Sequence, residues 1–310
     1  MKHIISSEQF NPNNLKTLFN LVDDIKANPD LYRQSLRDKI IERLFFEPST
    51  RTRLSFDSAV VRLGGSLIGA ENARESTSVT KGEPLADMIR IISGYADAII
   101  MRHQDDDAAE IAESVSAVPV FNAGSGKKEH PTQALLDVYT INEQKGRLSD
   151  LKISVWGDLL HGRTVHSLLK LASLFNNIEV HGLSCKELQL PAEYIDFMKA
   201  RGVTYTQHYK LDDVPRDVDI IYHTRLQKER YVREKLFETQ EDAEKAFFVI
   251  DQKVLNSFSK HTILMHPLPR DGEIKEEVDG DPRSVYIKQA HNGLQVRMAL
   301  LHDTLGKGLL

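Results

Sequence analysis

The sequence predicts an α/β protein of two doubly wound domains, each a mostly parallel sheet flanked by helices. Three observations carry this expectation. Short apolar runs alternate with segments of helical period along most of the chain. Its 310 residues amount to two domains at about 150 residues each. Hydrophobic content is 41% against 27% charged residues, a balance that folds rather than staying disordered. In open sheets of this kind, ligands bind where strand carboxyl ends feed helix N-termini. The site is therefore expected in the crevice between the domains.

The elements follow in order. Residues 39–46 form an apolar strand. Residues 50–63 form a helix, with Phe56, Ala59, Val60 and Leu63 at i, i+3, i+4, i+7 and Gly64-Gly65 ending it. Strands are expected at 66–70, 96–102 and 118–123, with helical segments around 84–95 and 105–115. A long helix at 130–146 leads to the polar break Leu148-Ser149-Asp150. The second alternation opens with a strand at 152–157 and a helix at 162–175, whose Val165, Leu168, Leu169, Ala172 and Phe175 share a face. Strands at 178–183, 218–224 and 262–266 and a last helix at 292–305 complete it. Residues 230–245 are charged and helical in composition and read as a solvated surface segment.

Composition excludes several classes. Forty Lys+Arg against forty-five Asp+Glu leave a net charge of −5, which argues against a nucleic-acid partner. The single cysteine, Cys185, allows no internal disulfide and no cysteine-based zinc finger, and fits a reducing compartment. No apolar run approaches the ~20 residues that span a bilayer, and the N-terminus shows no signal-peptide pattern.

The unusual residues fall at the expected strand ends. Glu47-Pro48-Ser49-Thr50-Arg51-Thr52-Arg53 joins the first strand to its helix. Hydroxyls and guanidiniums beside the unpaired N–H groups of a helix N-terminus build an anion site, most naturally for phosphate; an ordinary N-cap at Ser49 or Thr50, with solvated arginines, reads Ser49 to Arg53 as well. In Ser76-Thr77-Ser78-Val79-Thr80-Lys81-Gly82-Glu83, Lys81 is either a cation on a closing loop or a solvated lysine. Arg102 ends the third strand, at the same sheet edge. His130 precedes Pro131 at a helix start, where an imidazolium is disfavoured and a neutral donor can polarise a carbonyl; a capping role is the alternative.

In the second half, Gly157-Asp158-Leu159-Leu160-His161-Gly162-Arg163 and Thr224-Arg225-Leu226-Gln227 end strands in the same way. Guanidinium forks at Arg163 and Arg225 with the Gln227 amide suit a small dicarboxylate, or else are surface residues paired with nearby acids. His161 and His166 lie five apart with no acidic ligand at metal spacing, so no metal site is expected. His266-Pro267-Leu268-Pro269-Arg270 fixes a rigid backbone whose carbonyls could accept from a substrate amide, or simply forms a stiff connector.

Taken in order, these motifs resemble the aspartate/ornithine carbamoyltransferase superfamily over nearly the whole chain. Ser-Thr-Arg-Thr-Arg and His-Pro-Thr-Gln mark the superfamily. Ser78-x-x-Lys81-Gly82-Glu83, Thr224-Arg225-x-Gln227-x-Glu229-Arg230 and His266-Pro267-Leu268-Pro269-Arg270 are similar to its aspartate-specific members. The ornithine enzymes carry a catalytic cysteine where this chain has Pro267, and a Ser-Met-Gly loop that does not occur here.

The resemblance implies transfer of the carbamoyl group of carbamoyl phosphate to the α-amino group of L-aspartate, early in pyrimidine biosynthesis. It implies a carbamoyl phosphate domain at 1–134, a connecting helix at 135–150, an aspartate domain at 151–288, and a C-terminal helix at 289–310 packing back on the first domain. Ser49, Thr50, Arg51, Thr52 and Arg102 would hold the phosphate. Thr52, Arg102 and His130 would stabilise the oxyanion. Gln133 and the carbonyls of Pro267 and Leu268 would hold the carbamoyl amide. Arg163, Arg225 and Gln227 would bind aspartate. Ser78 and Lys81 would reach in from a neighbouring subunit of a homotrimer, with Lys81 also touching aspartate. No cofactor is implied, the location is cytoplasmic, and the family pattern admits a larger assembly with regulatory chains or dihydroorotase. The weighed alternatives are a carbamoyltransferase for another amino acid and a non-catalytic paralogue. One local departure is Leu160-His161, where some bacterial members carry Lys-Tyr.

Overall fold

A computed structural model describes residues 3–71, 73, 81–227, 231, 236–237 and 248–307. The chain divides into two compact units. One is Met1–Tyr139 together with His291–Leu310, and the other is Thr140–Ala290. No helix among the described residues is long and apolar enough to cross a membrane.

The first unit opens with helix α1 (Pro12–Ala27). Asn11 caps it by accepting from the N–H groups of Asn13 and Asn14, each at 3.0 Å, and Pro12 takes the first position. Strand β1 (Ile40–Phe45), helix α2 (Thr50–Arg62) and strand β2 (Ser66–Glu71) follow. Helix α3 (Leu85–Ile92), strand β3 (Ala98–His103), helix α4 (Ala108–Val115) and strand β4 (Val120–Ser125) complete the alternation. The sheet is parallel throughout, in the order β2-β1-β3-β4. Strands β3 and β4 are buried on both faces over almost their whole length, as a helix-covered parallel sheet requires. On one face Leu44, Ile99, Met101 and Val120 pack against Met88, Ile89, Ala108, Ala109 and Ala112. Phe56 of α2 meets Phe121 edge to face, with centroids 6.4 Å apart.

Helix α5 (Pro131–Lys145) carries the chain across the unit boundary. The second unit contains strand β5 (Leu151–Trp156), helix α6 (Arg163–Ala172), strand β6 (Ile178–Leu183), helix α7 (Ala192–Lys199) and strand β7 (Thr204–His208). Strand β8 (Ile220–His223), helix α8 (Gln252–Asn256) and strand β9 (Ile263–Met265) follow. This sheet is also parallel, in the order β7-β6-β5-β8-β9. Its core gathers Trp156, Val218, Ile221, Leu264, Phe258 and Tyr286. Helix α9 (Tyr286–His302) follows and runs into a π-helical segment at Asp303–Lys307. In the first unit its Arg297 lies over the Phe56 ring, 5.0 Å from the centroid, and donates to Thr132 Oγ1 at 3.3 Å.

The strands and helices read from sequence are present, with boundary shifts; the last helix begins at Tyr286 rather than 292. Four elements lie outside the sequence expectation. Helix α1 has its apolar residues Leu15, Leu18, Leu21, Val22 and Ile25 at helical spacing, so its signal was present. Strand β7 reads Thr-Tyr-Thr-Gln-His and has no apolar run, because an edge strand buries little. Helices α7 and α8 are the other two. Most of 230–245 lies outside the described residues, but Tyr231 is buried beside Leu188 and Leu226, so at that position the segment is not a solvated face.

Candidate active site

In the first unit the candidate residues lie along the carboxyl edge of the parallel sheet. Phe45 is in register with Arg102, and the Phe46 N–H extends the pairing by donating to the Arg102 carbonyl at 2.9 Å. Ser49 then adopts extended backbone and starts α2, but its hydroxyl makes no capping bond. The first N–H groups of α2 are thus left for something other than a side-chain cap. Thr50 and Arg51 are exposed there and Thr52 is buried. Arg53 is differently placed. Its guanidinium pairs with Asp57 one turn on, at 3.3 Å, beside Arg43 of β1 on the same carboxylate. The two arginines of Ser-Thr-Arg-Thr-Arg therefore divide, one available at the helix start and one tied into the fold.

The Arg102 guanidinium is half-buried between Glu47, at 3.4 Å, and the Ala123 carbonyl, at 3.3 Å. His130 is 4% exposed. Its carbonyl accepts from the N–H groups of Gln133 and Ala134, at 3.0 and 3.1 Å, which anchors it at the start of α5. Gln133 donates to Asp137 at 2.9 Å, and Asp137 is fully buried. Ser125, ending β4, bonds back to Glu129, so His130 sits at the same sheet edge as Arg102 and α2. Lys81 is exposed beside Gly82, whose φ is +85°; Ser78 lies outside the described residues, as do Glu229 and Arg230.

In the second unit three adjacent strands, β5, β8 and β9, end at one edge. Gly157 ends β5 with φ +102°, and a Cβ there would lie 2.3 Å from the Thr224 carbonyl oxygen. Only glycine lets the two strand ends approach so closely. The loop that follows is built around Asp158, which is fully buried. It accepts from the His161 N–H at 2.9 Å, faces the His161 Nδ1 at 3.1 Å, and accepts from the Tyr231 hydroxyl at 3.2 Å. Burial, then the Asp158 charge, push the Tyr231 phenol far above its ordinary value, so it remains a donor. Gln227 donates to the His161 carbonyl at 2.9 Å, and the Arg163 N–H to the same oxygen at 2.8 Å. Arg163, Arg225 and Gln227 are half-buried. The Leu160-His161 departure thus places an imidazole on a buried carboxylate. His166 is spent on the Leu159 carbonyl, 2.8 Å away, and on a stack with Tyr194.

The β9 end carries His266, Pro267 and Leu268. Leu268 has φ +56°, its N–H donates to His266 Nδ1 at 2.7 Å, and the other ring nitrogen faces Glu273 at 2.7 Å. Cys185 lies elsewhere, and burial, with a bond to Glu187, pushes its thiol up to about 12, too high for a thiolate. Sequence reading missed the supporting residues Asp137, Asp158, Tyr231 and Glu273. Only Asp137 had a local signal, four residues from Gln133 on one helix face.

Comparison with known proteins agrees with this division. Residues 2–143 match the family model described as the aspartate/ornithine carbamoyltransferase carbamoyl-P binding domain, and 149–304 match that of the Asp/Orn binding domain. The aspartate carbamoyltransferase catalytic subunit of Clostridium acetobutylicum is 42% identical over 307 residues, 98% of each chain. A chloroplastic aspartate carbamoyltransferase of Pisum sativum is 41% identical over 96% of this chain and 76% of its own. The structure of Trypanosoma cruzi aspartate transcarbamoylase in complex with carbamoyl phosphate and aspartate superposes with a TM-score of 0.91 at 38% identity, covering 98% of this chain and 97% of that one. With both halves matched in order and relatives aligned along almost its full length, the chain belongs to the aspartate/ornithine carbamoyltransferase family.

Proposed function

We propose that the chain transfers the carbamoyl group of carbamoyl phosphate to the α-amino group of L-aspartate, giving N-carbamoyl-L-aspartate and phosphate. The observation that carries this reading is the split of anion-binding residues between two parallel sheet edges. One edge has an uncapped helix N-terminus with Arg51 and Arg102. The other has Arg163, Arg225 and Gln227. Pro267, at the position of the ornithine enzymes' cysteine, favours aspartate.

In this reading the first unit takes carbamoyl phosphate. The N–H groups of α2, the hydroxyls of Ser49, Thr50 and Thr52, and the guanidiniums of Arg51 and Arg102 hold its phosphate. Gln133 and the carbonyls of Pro267 and Leu268 hold the carbamoyl amide. Arg163, Arg225 and Gln227 take the two carboxylates of aspartate in the second unit. The amine attacks the carbamoyl carbon, and Thr52, Arg102 and His130 donate to the oxyanion that forms. One such donor is worth roughly 3–4 kcal/mol. The leaving phosphate takes the amine proton on its own oxygen, so the reading needs no protein base and no cofactor.

The reading extends to a cytoplasmic homotrimer in which Ser78 and Lys81 serve a neighbour's site. Lys81 is exposed, and large apolar side chains are exposed on α2 (Leu54, Val61), on the edge strand β2 (Ile68) and on α3 (Ile91). The deciding experiment incubates the purified chain with carbamoyl phosphate and a panel of amino acids and follows phosphate release. Release dependent on aspartate supports the reading; release with ornithine instead, or with no amino acid of the panel, refutes it. For the shared site, mixed trimers of inactive Lys81→Ala and Arg51→Ala chains recover part of the activity. Mixed trimers that stay inactive exclude sharing.

A further inference from the structure

We propose that Glu273, acting through His266, is a positioning residue that sets the Pro267 and Leu268 carbonyls by fixing the His266 imidazole in one tautomer. The inference rests on the proposed reaction, in which those carbonyls accept from the carbamoyl amide.

Leu268 stands at φ +56°, a left-handed conformation that a side chain bearing a Cβ disfavours by about 1–2 kcal/mol. Local bonding must hold it there. The Leu268 N–H donates to His266 Nδ1 at 2.7 Å. Nδ1 can accept only when it carries no proton, so the ring proton belongs on Nε2. Nε2 lies 2.7 Å from Glu273 Oε1, and the second oxygen, Oε2, accepts from the Asp271 N–H at 2.8 Å. The His266 N–H donates to Gln289 Oε1 at 2.9 Å. His266 and Glu273 are each 1% exposed, so water does not compete for these bonds.

The carboxylate form is essential to the geometry. A protonated Glu273 could donate to Nε2, move the ring proton to Nδ1 and set it against the Leu268 N–H. Burial does push the Glu273 carboxyl up. The bond from His266 and the backbone N–H donors oppose burial, and the carboxyl is held below its ordinary value. Among the titratable groups facing the ring are Glu273 and the His223 ring, its centroid 6.2 Å away, which burial keeps neutral at ordinary pH. The strained residue and the two carbonyls beside it therefore depend on one proton staying on Nε2.

The test uses a ligand pair that differs only at the amide. Carbamoyl phosphate offers NH₂ to the carbonyls, and acetyl phosphate offers CH₃. In Glu273→Leu neither bond can form, so the ring loses the acceptor that holds its proton on Nε2. Calorimetric titration of the full chain should show that the preference for carbamoyl over acetyl phosphate falls about tenfold, the loss of about one hydrogen bond. Acetyl phosphate binding should stay as in the unaltered chain. An unchanged preference in the folded variant would overturn the proposal. Should the variant fail to fold, ¹⁵N-imidazole NMR of the unaltered chain decides. At neutral pH His266 should show a protonated Nε2 and a bare Nδ1, and a protonated Nδ1 overturns the proposal. If the unaltered chain binds neither ligand and forms no product with aspartate, the proposed reaction fails, while the tautomer result stands or falls on its own.

Discussion

The carboxyl edges of the two sheets solve the problem of presenting polar side chains differently. At the first, the candidate groups come from a strand end and from the starts of two helices, α2 and α5. Thr50 and Arg51 are exposed, Ser49 makes no side-chain cap, and Arg102 contacts Glu47 and the Ala123 carbonyl. At the second, two of the three candidate loops are built on buried carboxylates, Asp158 under the Gly157–Arg163 turn and Glu273 under the Pro267–Leu268 turn. A phosphate group can be met by backbone N–H groups that any helix start supplies. At the second edge the Asp158–Gly162 and His266–Leu268 segments are irregular, and irregular backbone needs buried partners to keep one shape.

This contrast predicts that direct contacts dominate the first edge and scaffolding shares the load at the second. The largest effect belongs to Arg102→Ala or His130→Ala. Either should lower kcat by about 100-fold or more, the worth of one oxyanion donor, with an unchanged circular dichroism spectrum. Near-normal turnover in a folded variant would remove that group from the chemistry. Arg225→Ala comes next. It should raise the KM for aspartate by about 10- to 100-fold, the cost of charge-assisted hydrogen bonds, and leave carbamoyl phosphate binding intact. Weakened carbamoyl phosphate binding with normal aspartate KM would reverse the assignment of the two units.

The scaffolding is where sequence reading stopped. The parallel sheets were legible because buried strands are continuous apolar runs and their helices carry a clear period. The strand-end motifs were legible because arginine, histidine and hydroxyl residues are conspicuous beside such runs. Asp158, Glu273 and Tyr231 were not, since each looks like an ordinary surface polar residue until folding buries it. Tyr231 lies 73 residues from its Asp158 partner, a separation that local pattern cannot bridge. Strand β7 escaped for the opposite reason, being too polar to announce itself as a strand.

Asp158→Asn sharpens the comparison further. The amide keeps one acceptor, where the carboxylate met His161 twice and Tyr231 once. The turn bearing Arg163 and the Gln227 contact should loosen. The KM for aspartate should rise about tenfold, the price of roughly one hydrogen bond, while kcat at saturating aspartate changes less. Equal losses in kcat and in carbamoyl phosphate affinity would indicate global damage instead of a local scaffold.

The smallest effect tests burial at the second edge through pH. His223 ends β8 beside Thr224 and Arg225, fully within the core. Burial pulls its imidazole down to about 4, although the Phe248 carbonyl, 2.6 Å from Nε2, and the Thr224 carbonyl, 3.0 Å from Nδ1, favour the protonated ring. Its ordinary value is 6.5. Between these values the unfolded chain binds a proton that the folded chain refuses, so stability falls as pH drops through this window and levels off below about 4. Between about pH 7 and about pH 5.5 the loss from this one group should be about 1 kcal/mol. Urea unfolding of the unaltered chain and of His223→Gln at both pH values isolates it, because the other titrating groups are common to both. The variant should show the shallower decline. Parallel declines would mean that the two carbonyls, and not burial, set the protonation of the ring, and His223 would then be a cation in the core behind Arg225.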